Sequence, residues 1–378
     1  MTIRVLHVIT GLEDGGAEGV LYQLLSHVGR RADHQVVSLT SEGRYGPLIR
    51  ALGVPVTCLN FPRGRLSLQG LWQLWRLLRR EKPTVVQTWM YHADLVGGVL
   101  ARLSGCRSLY WNVRHSTHVG GATGRSTGWV IRACARLSGW LPRRIVSCAR
   151  QAIAVHKALG YRGEFVLIPN GYDLVRWRPD GGARARTRAA LAVDDETVLV
   201  GLVARYNPQK DHATLLSALA AVVASDRAVQ CVLVGSGCSE HNRELCERIE
   251  ALGLTDHVRL LGPRDDIPDL LNGLDLHVLS SRFGEAFPNV VAEAMACGTA
   301  CVVTRVGDAP AIVGDTGWVA EPGDPRSLQL ALESALRECR TDPSAWAARK
   351  EAVRARIRDR YSMEAMVEAY RELWEGHE

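Results

Sequence analysis

The sequence predicts an α/β protein built from two doubly wound parallel sheets. Three observations carry that expectation. The chain has 378 residues, enough for two domains of ordinary size, each with its own core. Short apolar runs recur along it, each followed by a turn and then by an apolar-periodic stretch of helical length. That alternation specifies parallel strands with helices on both faces. Finally, Phe165-Val-Leu-Ile-Pro-Asn-Gly-Tyr-Asp173 followed by Trp177-Arg-Pro reads as a strand, a turn and a polar crossing, which sets a boundary near 175. The domains expected are 1–175 and 176–360.

Composition removes several classes. Hydrophobic residues at 47% and charged residues at 23% are those of a soluble globular chain. No run reaches the ~18 uninterrupted apolar residues of a membrane span. Met1-Thr-Ile-Arg-Val enters a strand directly, without a signal peptide, so a cytoplasmic protein is expected. The ten Cys show no C-x-x-C pair and no zinc spacing, which argues against a disulfide framework or a metal. Cys58, Cys148, Cys231 and Cys301 read as reduced core residues. The net charge of +6 conceals a split: residues 1–180 carry +14 and residues 181–378 carry −8. The first half should therefore meet something anionic, such as a phospholipid surface or a phosphorylated acceptor. Nucleic acid is not expected, for no basic and aromatic motif is interleaved.

Arg4-Val-Leu-His-Val-Ile-Thr10 reads as a buried strand, followed by Gly11-Leu-Glu-Asp-Gly15-Gly16-Ala-Glu-Gly19 and a helix through Leu21, Leu24 and Leu25. Such a loop brings backbone N–H groups close to a phosphate or sugar, with Gly15 and Gly16 as its candidates. The spacing is not the G-x-G-x-x-G of a nicotinamide site. Further strands are expected at 35–39, 56–59, 84–88, 108–113 and 144–148. Ligands of such sheets bind beyond the carboxyl ends of the strands, where His115 stands, with His92 and His118 as rivals. Ser67 to Arg80 predicts a helix whose stripe of Leu68, Leu71, Trp72, Trp75 and Leu78 packs on the sheet, Arg76, Arg79 and Arg80 suiting its C-terminus. Binding at a membrane interface is the alternative.

In the second half, Gly181 to Arg188 reads as a solvated linker. A strand from Val198 ends at Arg205, and Lys210 follows at the start of a helix, so both cations can converge on one anion. Further on come two strands with glycine loops, Cys231 to Gly237 and Val258 to Pro268. After a strand ending at Leu279, Glu285 lies in a loop and Pro288 with Asn289 opens a helix, Asn289 suited to accept from its first N–H groups. A diphosphate could lie across Phe287, Pro288, Asn289 and Val290, with Glu285 and Glu293 flanking it as acceptors for hydroxyls. The neighbours of both carboxylates are apolar, so they should be buried and used rather than solvated.

Glu285, seven residues, Glu293 and Ala294-Met-Ala-Cys-Gly298, preceded by Ser281-Arg-Phe-Gly284, resembles the signature of the retaining GT-B glycosyltransferases of family 4 (glycosyl transferases group 1). The likeness runs through nearly the whole chain. It implies two Rossmann-like domains facing across a cleft, with a last helix at 361–378 packing back on the first. It also implies that His115 contacts the donor sugar, that Arg205 and Lys210 are a phosphate-binding pair, and that the loop of Arg264 and Ile267 cups a nucleobase. Glu285 would orient sugar hydroxyls and Glu293 the ribose. The activity implied is a retaining transfer without metal or cofactor, from a nucleotide diphosphate sugar as co-substrate. No Asp-x-Asp occurs in the sequence, in agreement with that. The charged first half favours a polyprenyl-linked or other anionic acceptor in surface polysaccharide or glycolipid assembly, with the inner face of the plasma membrane as a peripheral location. A natural-product acceptor, or a nucleotide-sugar epimerase on the same fold, remains open.

Overall fold

A computed structural model describes residues 3–29, 32–62, 65–114 and 125–376 of the chain. It divides into two compact units, Met1–Gly171 with Met363–Glu378, and Tyr172–Ser362. The crossings thus fall at 171/172 and 362/363, a few residues from 175 and 361.

Among the described residues, the first unit holds seven parallel strands: β1 (Ile3–Ile9), β2 (Ala32–Ser38), β3 (Val56–Cys58), β4 (Val85–Trp89), β5 (Ser108–Val113), β6 (Arg144–Ser147) and β7 (Phe165–Leu167). Their spatial order is β3-β2-β1-β4-β5-β6-β7, so the winding reverses between β1 and β4. The intervening helices are α1 (Gly16–His27), α2 (Tyr45–Ala51), α3 (Leu68–Glu81), α4 (Tyr91–Leu103), α5 (Arg125–Leu137) and α6 (Arg150–Ala158). Alternate strand residues face opposite ways, and both faces are covered, as continuous apolar strands require. Val5, Ile9, Val85 and Tyr110 pack with α1. Leu6, Val8, Val86, Leu109 and Trp111 pack beneath α3, α4 and α5.

The second unit contains α7 (Gly181–Ala190), β8 (Val198–Val203), α8 (His212–Ser225), β9 (Val229–Val234), α9 (Arg243–Ala251), β10 (Val258–Gly262), α10 (Ile267–Gly273) and β11 (Leu276–Leu279). It continues with α11 (Asn289–Ala296), β12 (Ala300–Thr304), α12 (Ala309–Val313), β13 (Trp318–Ala320), α13 (Pro325–Thr341) and α14 (Pro343–Arg360). The sheet order β10-β9-β8-β11-β12-β13 again reverses beside its first strand. The last helix, α15 (Met363–Glu375), belongs to the first unit, where Met366, Tyr370 and Trp374 are buried in the core of β1 and α1.

Three expectations are corrected. Gly181–Ala190 is a helix and not a solvated linker, because Asp180 caps it and Arg188 is buried against Asp275. The packing face of α3 is Gly70, Leu74, Leu77 and Leu78, with Leu71 half-buried, while Leu68, Trp72 and Trp75 face outward. Cys148, Cys231 and Cys301 are buried free thiols as expected, but Cys58, on the edge strand β3, is only half-buried.

Candidate active site

The site is assembled where the winding of the second sheet reverses, at the carboxyl ends of β8 and β11, the place where doubly wound folds leave room for a ligand. From β8 the chain runs through Arg205 to Lys210 before Asp211 caps α8, accepting from the Thr214 N–H and hydroxyl. This loop is held by its neighbours. Tyr206 N donates to Ser236 O at 2.7 Å, and Gly235 passes so close that a Cβ there would lie 2.3 Å from Ala204 O. With its φ of +137°, Gly235 is a position few side chains could take.

The loop after β11 is tied to the loop after β8. Arg282 N donates to Gln209 O at 2.8 Å, and the Ser280 hydroxyl donates to Lys210 O at 2.7 Å. The Lys210 ammonium donates to Glu285 Oε1 at 2.5 Å, and the Ser281 hydroxyl donates to the same oxygen at 2.6 Å. Both charged side chains are mostly out of water, 16% and 9% exposed, so the pair needs this geometry to offset desolvation. Gly307 closes over the loop at φ +59°, where a Cβ would meet Glu285 O at 2.4 Å. Behind Lys210 lies His277, fully buried, with neither ring nitrogen hydrogen-bonded. Burial first, and Lys210 second, lower its imidazole to about 3, so it stays neutral and adds no competing cation.

Arg205 is exposed and has no ion-pair partner among the described residues. It differs in this from Lys210, already bound to a carboxylate. Glu285, which the sequence offered as an acceptor for hydroxyls, is also the carboxylate that neutralises Lys210.

At α11 the expected capping role of Asn289 is not found. Pro288 occupies the cap with no side-chain hydrogen bond, and Asn289 Oδ1 instead accepts from the Tyr172 hydroxyl at 2.7 Å. The reason is local: Asn289 is already the first helical residue, and Tyr172 lies within reach. Phe287 is stacked on Tyr172 and meets Tyr361 edge-on, at 6.4 and 5.4 Å between ring centres. Four residues into the helix, Glu293 is set deep among packed groups, although part of its surface remains accessible. Its carboxyl makes no hydrogen bond among the described residues. Desolvation pushes its carboxyl up to about 7, with Arg176 pulling the other way.

Arg264 is paired locally with Asp266, its Nε donating at 2.8 Å, which occupies the guanidinium proposed for the donor; Ile267 begins α10 beside it. In the first unit, Gly15 caps α1 in an extended conformation and Gly16 begins the helix. The Glu18 carboxylate folds back so closely that a Cβ on Gly15 would lie 2.3 Å from it. Desolvation raises that carboxyl, while the N–H groups of Glu18 and Ala17 pull it down. His115 and His118 lie outside the described residues, and their rival His92 is half-buried at the start of α4. Arg114, just before His115, is anchored to Asn112, Asn170 and the Tyr370 hydroxyl.

Ser281, Tyr172, His277 and Glu18 were not singled out by the sequence. Ser281 and Tyr172 lie inside the motifs already quoted, but their partners are distant or across a turn. His277 is indistinguishable in the sequence from any polar residue interrupting a strand.

The model of Glycosyltransferase Family 4 matches residues 14–176, and that of Glycosyl transferases group 1 matches residues 197–338. The chain belongs to the family 4 glycosyltransferases. This glycosyltransferase is 26% identical over 301 residues to the UDP-Gal:alpha-D-GlcNAc-diphosphoundecaprenol alpha-1,3-galactosyltransferase of Escherichia coli, 75% of this chain and 74% of that one. It is 36% identical over 190 residues to the D-inositol 3-phosphate glycosyltransferase of Salinispora tropica, 45% of this chain and 39% of that one. Among solved structures, HepE of Anabaena in complex with UDP matches with a TM-score of 0.86 at 21% identity, over 99% of this chain and 100% of that one. That likeness is one of fold, and the fold is GT-B.

Proposed function

We propose that this glycosyltransferase moves a hexose from a UDP-sugar to a polyprenyl-diphosphate-linked sugar, with retention at the anomeric carbon and without a metal. The observation that carries the reading is the joining of the loops after β8 and β11 through Lys210 on buried Glu285, beside a helix start that no side chain caps, with Arg205 exposed in the first of these loops and in no ion pair among the described residues. As the bond between the anomeric carbon and the diphosphate oxygen breaks, charge grows on the departing diphosphate. Arg205, Lys210 and the first N–H groups of α11 are the groups that would receive it. Held in place by Lys210 and Ser281, Glu285 would orient the hydroxyls of the sugar. Glu293 accepts from the ribose, a task for which a carboxyl without hydrogen-bond donors is prepared. The acceptor hydroxyl attacks from the leaving-group side and gives its proton to the departing phosphate oxygen, so no protein base is required. Two likenesses support the choice of substrates: the E. coli relative is named for UDP-Gal and a diphosphoundecaprenol acceptor, and the Anabaena structure holds UDP.

The test is a panel of UDP-, GDP- and ADP-sugars in EDTA, with and without sugar-diphosphoprenol, following nucleotide release and product mass. Lipid-dependent UDP release, reduced about 10²-fold or more in Glu285→Gln, is the expected result. An isomerised donor without nucleotide release would move the protein to the epimerases, and full activity in the variant would remove Glu285 from the reaction.

A further inference from the structure

The face of the first unit covered by α3, α4 and α5 has an outer surface that folding leaves apolar. α3 bears two apolar stripes. Gly70, Leu74, Leu77 and Leu78 are used on the sheet, but Leu68, Trp72 and Trp75 remain 84%, 54% and 41% exposed. The last three are spaced four and three residues apart, one line along the helix. An arginine from the next turn lies over each indole, Arg76 over Trp72 at 5.2 Å and Arg79 over Trp75 at 5.9 Å. Neither arginine has a carboxylate partner among the described residues. α3 and α5 both pack on α4, and all three helices cover the same core. On that same layer Trp129 of α5 is 68% exposed, and Trp140, just after α5, is 87% exposed. From 61 to 157 the sequence has 16 Lys and Arg against two acids, Glu81 and Asp94. Asp94 is buried, and Glu81 is paired with Arg80.

We propose that this helical layer is a docking surface for an anionic phospholipid bilayer, with α3 lying in the headgroup region, its indoles inserted and its arginines on lipid phosphates. The proposal rests on the reading that the acceptor is lipid-linked. Tryptophan rings and arginines together suit the interface between water and hydrocarbon, where each has an apolar body and a polar edge. No described helix is long and apolar enough to cross a membrane, so the layer lies on the bilayer. A second copy of the chain is a poor occupant, because the faces brought together would carry like charge. A surface dense in phosphate is complementary.

The experiment is co-sedimentation of the full chain with vesicles of phosphatidylcholine, alone or mixed with phosphatidylglycerol, together with tryptophan emission. Binding confined to the anionic vesicles, weakened by salt, and accompanied by a blue shift is expected. Arg76→Glu with Arg79→Glu should weaken it by roughly 10–100-fold, and Trp72→Ser with Trp75→Ser should remove most of the shift. Equal binding to both vesicle types, or binding indifferent to these substitutions, overturns the proposal. So does a change of the free protein from dimer to monomer in the tryptophan variant, which would make the layer a contact between copies. Nucleotide release from the UDP-sugar is followed in the same proteins with the sugar-diphosphoprenol acceptor supplied in detergent and no vesicles present. A chain that turns over donor yet ignores lipid sinks the surface alone, whereas one that binds lipid and uses no donor sinks the proposed activity alone.

Discussion

Glu293 and Glu285 are both carboxylates of one short motif, yet their surroundings give them different chemistry. Glu285 has an ammonium and a hydroxyl on one oxygen. Glu293 has neither, and its carboxyl is raised to about 7 by desolvation. If ribose hydroxyls donate to Glu293, the ionised form gains partners and its pKa falls. Nucleotide binding between pH 6 and 7 should then release up to about one proton per site. Calorimetry in buffers of different ionisation enthalpy measures that release directly. Glu293→Gln should abolish it, and an unchanged proton count in that variant would separate Glu293 from the nucleotide.

At the scale of the element, α7 shows how a helix that looks dispensable becomes structural. Arg184 Nη2 and Arg188 Nη1 donate to opposite oxygens of Asp275, at 2.7 and 3.0 Å, and Leu199 N donates to it at 2.8 Å. Arg188 is only 4% exposed in its side chain. Asp275→Ala leaves that guanidinium buried without its countercharge, and should destabilise the second unit by about 3–5 kcal/mol in urea unfolding. A cost below about 1 kcal/mol would mean that water reaches Arg188. The same helix marks a limit of what the sequence discloses. Strands such as Val198–Val203 are legible because a buried parallel strand is apolar at every position. The loops of Arg205, Lys210 and Glu285 are legible because they follow those strands. Gly181-Gly-Ala-Arg-Ala-Arg-Thr-Arg188 is not, since Arg184 and Arg188 signify burial only once a carboxylate nearly ninety positions later is placed beside them. α3 failed differently: its tryptophans complete one apolar stripe as well as Leu74 and Leu77 complete another, and periodicity alone does not say which meets the sheet.

For the whole molecule, the joint between α15 and the first unit contains a proton-sensitive core. Trp89 Nε1 donates to His7 Nδ1, so His7 Nε2 carries the proton offered to His34 Nδ1, at 3.1 Å. Trp374 of α15 packs on both rings. Burial lowers His34 to about 4 and His7 well below its usual value. Unfolded, both take up protons near pH 6.5. The unfolded state thus binds more protons, so this stabilisation is complete above pH 6.5 and is lost as the pH falls towards 4. Thermal unfolding between pH 7 and 4.5 should show a steep fall in Tm that His34→Phe flattens. An equal slope in the two proteins would exclude the pair as its origin.

The placing of α15 also orders events during synthesis. A ribosome delivers the first seven strands of the chain long before Tyr370 and Trp374 exist, and the whole of Tyr172–Ser362 emerges in between as one uninterrupted segment. The later-made unit can therefore finish folding first. The earlier one waits, its sheet bare over His7 and Val85, until α15 has left the ribosome; a ribosome stalled anywhere before residue 363 would expose that unfinished face to chaperones and proteases.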